Sequence, residues 1–214
     1  MKKVLETAKT QSGNIIELIG SDDTLAEKRT LIIGVFHGDE PQGKYLIDEY
    51  LSLKAMRNNL LFIPCLNPDG MALNTRTNAC GVDLNRNFPT KNWGEDTSKA
   101  GSNPDDYYYG ASPASEIETK FVVSVIEKYS PKLIITLHAP YKIVNFDGPA
   151  RKVAEKISSI IGYPLEESIG YPTPGSFGTY CGVERNIPTI TLELDEKIPV
   201  EQLCQPVFNI FDIV

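Results

Sequence analysis

The sequence has no long hydrophobic run, no cluster of basic residues and no closely spaced cysteine pair. No apolar stretch approaches the roughly 18 residues of a membrane-spanning helix. Lysine and arginine total 21 against 28 acidic residues, so the formal net charge is -7. This balance disfavours binding to polyanions. We therefore expect neither a membrane nor a nucleic-acid partner.

Cysteine is also sparse, and its placement bears on the cellular compartment. Cys65, Cys80, Cys181 and Cys204 lie far apart and form no C-x-x-C pair. Nothing in this pattern indicates an oxidising compartment, so we interpret the thiols as reduced. The opening residues, MKKVLETAKTQSGN, lack the apolar stretch of a secretory signal. These observations predict a cytoplasmic protein.

The length and the apolar runs indicate the fold class. The chain has 214 residues, of which 41% are hydrophobic and 23% charged, which is ordinary globular usage and enough for one core. We therefore predict one domain over residues 1–214. Continuous β-branched runs are typical of buried parallel strands. Four such runs lead into residues able to do chemistry: TLIIGV, LLFIPCL, KLIITL and PTITLEL.

Helical patterns alternate with these runs. The clearest is ASEIETKFVVSVIEKYS, in which Ile117, Phe121 and Val125 recur at helical spacing, with Ser112 and Pro113 as a plausible cap and first turn. The other expected helices are GKYLIDEYLSLKA, GPARKVAEKISSII and VEQLCQPVFNIF. The alternation predicts an α/β fold, with a mixed, largely parallel sheet covered by helices.

The chain has only two histidines, and each follows or ends an apolar run. His37 and Glu40 have the His-x-x-Glu spacing that can close on one metal ion, although this pair alone is a weak signal. His138 offers a third ligand. Two histidines and one glutamate leave a fourth position open, as in catalytic rather than structural zinc sites. The alternative is that both histidines are independent core residues with satisfied hydrogen bonds.

A long irregular stretch from Asn74 to Ser112 holds a second candidate group. Its segment GVDLNRNFP places Asn85 beside Arg86, and arginine grips carboxylates through two parallel hydrogen bonds. Next to a metal, this pair can hold a free carboxyl terminus; otherwise the segment is a solvated loop. Glu193 lies within ITLEL, where an unpaired carboxylate is costly and therefore suggests a catalytic purpose.

Together these motifs resemble the zinc carboxypeptidases of the carboxypeptidase A type. The family's order of H-x-x-E, N-P-D-G, D-x-N-R-N, a single His and a late Glu occurs in full. The resemblance implies the zinc carboxypeptidase fold, one Zn²⁺ per chain, and Glu193 as the general base that takes a proton from the attacking water. The implied zinc ligands are His37, Glu40 and His138.

The resemblance also assigns roles within the long loop. Asn85 and Arg86 would hold the substrate's terminal carboxylate, and Arg76 would polarise the scissile carbonyl. Asp83 would accept a hydrogen bond from the first zinc-binding imidazole and fix its tautomer.

Further residues of the implied substrate site lie nearer the carboxyl terminus. Tyr171 would be the mobile tyrosine that covers the substrate, with Tyr180 as the competing choice. Gly178 and Thr179, within GSFGT, would line the pocket for the terminal side chain. That segment offers room and hydroxyls but no charge.

Longer strings narrow the resemblance to one branch of the family. HGDEPQG, GVDLNRNFP and TPGSFGTY resemble the bacterial murein peptide amidases, which cleave γ-D-glutamyl-diaminopimelate bonds during cytoplasmic cell-wall recycling. The implied partner is a small peptide with a free C-terminal carboxylate, and the oligomeric state is left open. The alternatives are a general metallocarboxypeptidase, an acyl-amino-acid hydrolase of the aspartoacylase or succinylglutamate desuccinylase kind, and a peptide-binding module without turnover.

Overall fold

A computed structural model describes residues 2–21, 29–96, 104–167 and 170–214. Within these ranges one eight-stranded mixed sheet has the order β1-β2-β4-β3-β5-β8-β6-β7. The strands are β1 Lys2–Lys9, β2 Ile15–Ser21, β3 Thr30–Gly34, β4 Leu60–Ile63, β5 Leu133–His138, β6 Ile143–Asp147, β7 Leu165–Glu166 and β8 Thr189–Glu193. The α-helices are α1 Gln42–Leu53, α2 Pro68–Leu73, α3 Ile117–Tyr129, α4 Arg151–Ile161 and α5 Cys204–Ile213.

The four central strands, β4, β3, β5 and β8, are parallel. They are the four apolar runs, and helices cover both of their faces. Ile32 packs with α1, α4 and α5 on one face, whereas Leu31 and Ile33 pack with α3 on the other. Successive strand residues point to opposite faces, so a strand covered on both sides is apolar throughout. The predicted fold class is confirmed.

The flanking elements differ from the sequence interpretation. Strands β1, β2, β6 and β7 were not predicted, because they are short or half-exposed and carry polar residues. Helix α3 begins at Ile117 with Glu116 as its N-cap, so the predicted start at Ser112 and Pro113 is wrong. The NPDG segment forms the short helix α2, in which the Asn67 side chain accepts a hydrogen bond of 2.9 Å from the Gly70 amide.

The parallel strands bring the candidate catalytic residues to one edge of the sheet. Strand β5 ends at His138 and β8 ends at Glu193, and these two residues are directly paired. His37 follows β3, the neighbour of β5 on its other side. The carboxyl ends of parallel strands share an edge, which is where α/β proteins place their ligand sites.

Two further findings concern cysteines and membranes. All four cysteines are free, as predicted. Over the described ranges, no helix combines the length and apolarity that a bilayer crossing requires.

Helix α5 offers a matched test of core packing. Ile210 is fully buried, whereas Ile213 on the same helix is 51% exposed. We expect Ile210→Ala to lower the free energy of unfolding by about 2–5 kcal/mol, because it removes buried methyl groups and leaves a cavity. Ile213→Ala should change it by about 0.5 kcal/mol or less. Urea denaturation of both variants measures the difference, and equal losses would contradict this packing.

Candidate metal centre and catalytic cleft

His37, Glu40 and His138 converge at the carboxyl edge of the sheet. One ligand atom from each lies within 4.8 Å of the other two. Glu40 is central, because its Oε1 is 2.8 Å from His37 Nδ1 and its Oε2 is 3.1 Å from His138 Nδ1. Two imidazole nitrogens and a carboxylate oxygen form a donor set suited to zinc.

Local backbone geometry explains how His37 and Glu40 face the same point. The Glu40 backbone amide donates a hydrogen bond of 3.2 Å to the His37 carbonyl. This bond closes a tight turn, which brings both side chains to one side. Gly38 lies between them, and a Cβ there would fall 1.9 Å from the Gly70 carbonyl carbon. Only glycine therefore lets helix α2 approach this turn so closely.

Asp83 orients the first imidazole. Its Oδ1 lies 3.1 Å from His37 Nε2, and its Oδ2 accepts hydrogen bonds of 3.0 and 3.2 Å from Arg76 Nη2 and Nε. Asp83 is completely buried. Burial alone would raise the pKa of Asp83, but Arg76 and His37 hold it well below its usual range. An ionised Asp83 favours a proton on Nε2 and leaves Nδ1 as the ligand atom.

The electrostatics of this cluster favour a bound cation. When Nε2 donates to Asp83, His37 Nδ1 and Glu40 Oε1 are both acceptors, and at 2.8 Å they need a proton or a metal between them. Burial by itself would lower the pKa of His37, but Glu40 and Asp83 raise it to about 9. The residues present therefore fit a divalent metal, which would replace that proton.

Glu193 lies beside this cluster, and one of its carboxylate oxygens is unpartnered. Its side chain is buried, and Oε2 has no hydrogen-bond partner among the described residues. The carboxylate accepts a hydrogen bond from the Tyr141 amide. Burial raises the pKa of Glu193; nearby His138 opposes this effect and Glu40 reinforces it. A carboxylate with a raised pKa and a free oxygen is well suited to accept a proton.

Asn85 and Arg86 present unused donors to the same cleft. Asn85 Oδ1 accepts a hydrogen bond of 2.8 Å from the Phe177 amide, which leaves its amide nitrogen free. Arg86 is only 1% exposed, makes no ion pair with any described residue, and has no partner at Nε. Its guanidinium and that of Arg76 both lie over the Tyr107 ring. A buried guanidinium without an anion is costly unless a ligand supplies one.

The predicted residues surround one cleft of about 350 Å³. Asp83 lies behind His37 and does not line this cleft. Thr179 does not line it either, since its hydroxyl is 2.9 Å from Ser176 Oγ. The predicted residues that line the cleft are His37, Glu40, Arg76, Asn85, Arg86, His138, Tyr171, Gly178 and Glu193.

The choice between the two tyrosines follows from their surroundings. Tyr180 is 2% exposed and packs against Phe88 and Arg185, which makes it a core residue. Tyr171 lines the cleft. Burial and a hydrogen bond with Tyr141 raise the pKa of Tyr171 to about 12, so its hydroxyl stays protonated.

The sequence interpretation missed the floor of the cleft, where Asn145, Asp147 and Thr191 are found. The segment GSFGT itself carries no charge, but Asp147 contributes a carboxylate to the cleft from β6. The alternation of polar residues in IVNFD was the available signal, but so short a strand was not recognised. Tyr107, to which the sequence analysis gave no role, lies under both arginines.

Comparisons with known proteins agree with this geometry. The pattern of the family described as zinc carboxypeptidase matches residues 3–158. Murein peptide amidase A of Escherichia coli K12 is 34% identical over 172 residues, which cover 76% of this chain and 69% of the relative. The corresponding Vibrio campbellii protein is 34% identical over 179 residues, covering 79% and 70%.

Solved structures show the same likeness. The murein-tripeptide amidase MpaA of Escherichia coli O157 has a TM-score of 0.79 at 26% identity, covering 99% of this chain and 90% of that chain. The carboxypeptidase A of Helicoverpa armigera, at 16% identity, shares the fold with a TM-score of 0.78 over 98% of this chain and 67% of that one.

The cluster generates a prediction about metal content. We expect the purified protein to carry about one zinc ion per chain, and His138→Ala to lose most of it, because removing one ligand leaves an open, poorly held site. Elemental analysis after dialysis measures the ratio. Tyr171→Phe is the control, since it changes the cleft but no ligand atom. Unchanged zinc in His138→Ala would remove that residue from the site.

Proposed function

The chain belongs to the zinc carboxypeptidase family, and from that premise we propose that it hydrolyses the amide bond before a C-terminal residue, namely the γ-D-Glu–meso-diaminopimelate bond of murein tripeptide. The observation that carries this proposal is that Arg86, a buried cation that makes no ion pair with any described residue, shares a cleft with the His-Glu-His cluster and Glu193. A free terminal carboxylate pairs with Arg86 and places the adjacent amide bond of the substrate beside the His-Glu-His cluster.

The metal site has a defined part in this proposal. His37, Glu40 and His138 hold one zinc ion, with Asp83 fixing the His37 ring. Bound zinc supplies a Lewis acid and lowers the pKa of a water molecule to about 7.

The remaining residues perform the proton transfer and the positioning. Glu193 takes the proton of the attacking water on Oε2 and passes it to the departing amine. Arg76 donates to the scissile carbonyl oxygen as negative charge develops there. Arg86 and the Asn85 amide hold the terminal carboxylate, and Tyr171 covers the substrate from the opposite wall.

The choice of murein tripeptide rests on the bacterial relatives, which are named for murein peptides. That substrate is a small peptide with a free C-terminal carboxylate, as Arg86 requires. We place the activity in the cytoplasm, in the recycling of cell-wall peptides. The decisive experiment is product analysis with L-Ala-γ-D-Glu-diaminopimelate against ordinary peptides; release of diaminopimelate supports the proposal, and cleavage of ordinary peptides alone returns the chain to a general metallocarboxypeptidase.

The proposed base yields a direct prediction. Glu193→Gln should keep the fold and the metal but lower kcat by roughly 10²–10⁴-fold, because an amide cannot accept the proton. Glu196→Gln is the matched control, since Glu196 lines the same cleft but is exposed and lies beyond β8. Steady-state rates and zinc content of both variants test the assignment, and near-normal turnover in Glu193→Gln would remove Glu193 as the base.

The carboxylate clamp yields another prediction. A substrate amidated at its C-terminus should show kcat/KM lowered by roughly 10- to 100-fold, because Arg86 loses a charged hydrogen-bond partner and stays desolvated. Arg86→Met should reduce this preference by slowing cleavage of the free acid. Competition between free and amidated peptides measures the ratio, and equal rates in the unmodified enzyme would exclude the clamp.

A further inference from the structure

One partly buried acidic side chain in the cleft, that of Asp147, has no role in the chemistry described above. Asp147 ends strand β6, which is antiparallel to β8 and pairs Asp147 with Thr189, Asn145 with Thr191 and Ile143 with Glu193. Alternate residues share a face of a sheet, so Asp147 and Asn145 lie on the face that carries Glu193. The intervening residues pack into the opposite core.

The surroundings of Asp147 hold its carboxylate in place. A Cβ at Gly178 would fall 2.1 Å from Asp147 Oδ2, and one at Gly182 would fall 2.3 Å from Asp147 Cβ. Any other residue at these two positions would collide with the aspartate. Gly178 and Gly182 therefore leave the space that Asp147 occupies, and the Asp147 carboxylate also lines the cleft.

This carboxylate has no cationic partner of its own. Within the described ranges, no hydrogen bond or ion pair involves the Asp147 carboxylate, and burial alone raises its pKa. The basic residues that line the cleft are Arg76 and Arg86. Arg76 is paired with Asp83, and Arg86 faces the position proposed for the terminal carboxylate. A partly buried, unpaired carboxylate is stabilised by a cation, which a ligand can bring.

The spacing along the sheet fits a long side chain. Thr189, the partner of Asp147, is four residues from Glu193 on β8, a separation of about 13 Å at the usual strand rise. An extended diamino-acid side chain places its terminal nitrogen about 7 Å from the scissile nitrogen. Contacts of about 3 Å at each end, to Glu193 and to Asp147, bring the total to about 13 Å.

We propose that Asp147 is a specificity-determining residue that binds the distal ammonium group of a C-terminal diamino acid. The inference rests on the proposed function and deepens it, because diaminopimelate carries such an ammonium. Lysine carries the same group without the distal carboxylate. No further lysine or arginine among the cleft-lining residues is available to read that carboxylate. Lysine-terminated tripeptide is therefore also a substrate.

The test compares three tripeptides, L-Ala-γ-D-Glu-X, in which X is diaminopimelate, L-lysine or L-norleucine. Norleucine keeps the length of the side chain and lacks the ammonium. We expect diaminopimelate and lysine to agree within about tenfold in kcat/KM, and norleucine to be roughly 10- to 100-fold poorer, as for the loss of a charged hydrogen bond. In Asp147→Asn the first two should fall to the norleucine value, while the norleucine value stays unchanged.

Asp39→Asn is the matched control, because Asp39 also lines the cleft but is exposed; it should keep the full preference for the ammonium. An equal fall on all three peptides in Asp147→Asn would make the role structural and overturn the inference, as would an unchanged preference. If Asp147→Asn does not fold, inhibition of the unmodified enzyme by free lysine and norleucine decides, with equal inhibition counting against the inference.

The proposed function can fail separately from this inference. Peptides with an ordinary α-linked lysine or norleucine end provide that comparison. Cleavage of these peptides alone, with lysine preferred and the preference lost in Asp147→Asn, would refute the murein substrate but retain the role of Asp147. Cleavage of γ-linked tripeptides with no dependence on Asp147 would support the murein substrate and refute the role of Asp147.

Discussion

The buried carboxylate of Asp83 connects the His-Glu-His cluster to the loop that carries Arg76, Asn85 and Arg86. One oxygen faces His37 Nε2, and the other accepts two hydrogen bonds from Arg76. The Asp83 backbone amide donates a hydrogen bond to the Tyr108 carbonyl, and the Asp83 side chain also accepts one from the Asn85 backbone amide. Because the charge is fully buried, removing one partner of such a pair costs on the order of 3–5 kcal/mol. Asp83 therefore fixes the loop and the imidazole together.

The charges of the cleft are separated in a way that suits a zwitterionic residue. Arg86, on the loop, and Asp147, on β6, carry opposite charges, and neither makes an ion pair with any described residue. Glu193, on β8, stands between the two in the proposed arrangement. An amino acid with a carboxylate at one end and an ammonium at the other can pair with Arg86 and Asp147 at the same time. Such paired demands provide selectivity, because a neutral side chain leaves one buried charge unpaired.

Several features could be predicted from short-range patterns. The four parallel strands were recognisable because helices on both faces force them to be apolar throughout. Strand β6 was not, since two of its five residues are polar and face the cleft. The start of α3 was also mispredicted, because the Ser112 carbonyl accepts a hydrogen bond from Asn87 instead of opening a helix. In both cases a contact distant in sequence decided the local structure.

The sequence by itself determined the fold class and the motifs that place the chain in its family, because strand patterning and the spacing of His37, Glu40 and their partners are local properties. Only the tertiary structure decided which side chains share the cleft. It buried Tyr180 and placed Tyr171 in the lining of the cleft, and it paired the Thr179 hydroxyl with Ser176. It also brought Asp147 against Gly178, two residues that approach only when β6 pairs with β8. Such contacts depend on pairing between distant segments, and no local pattern in the chain encodes them.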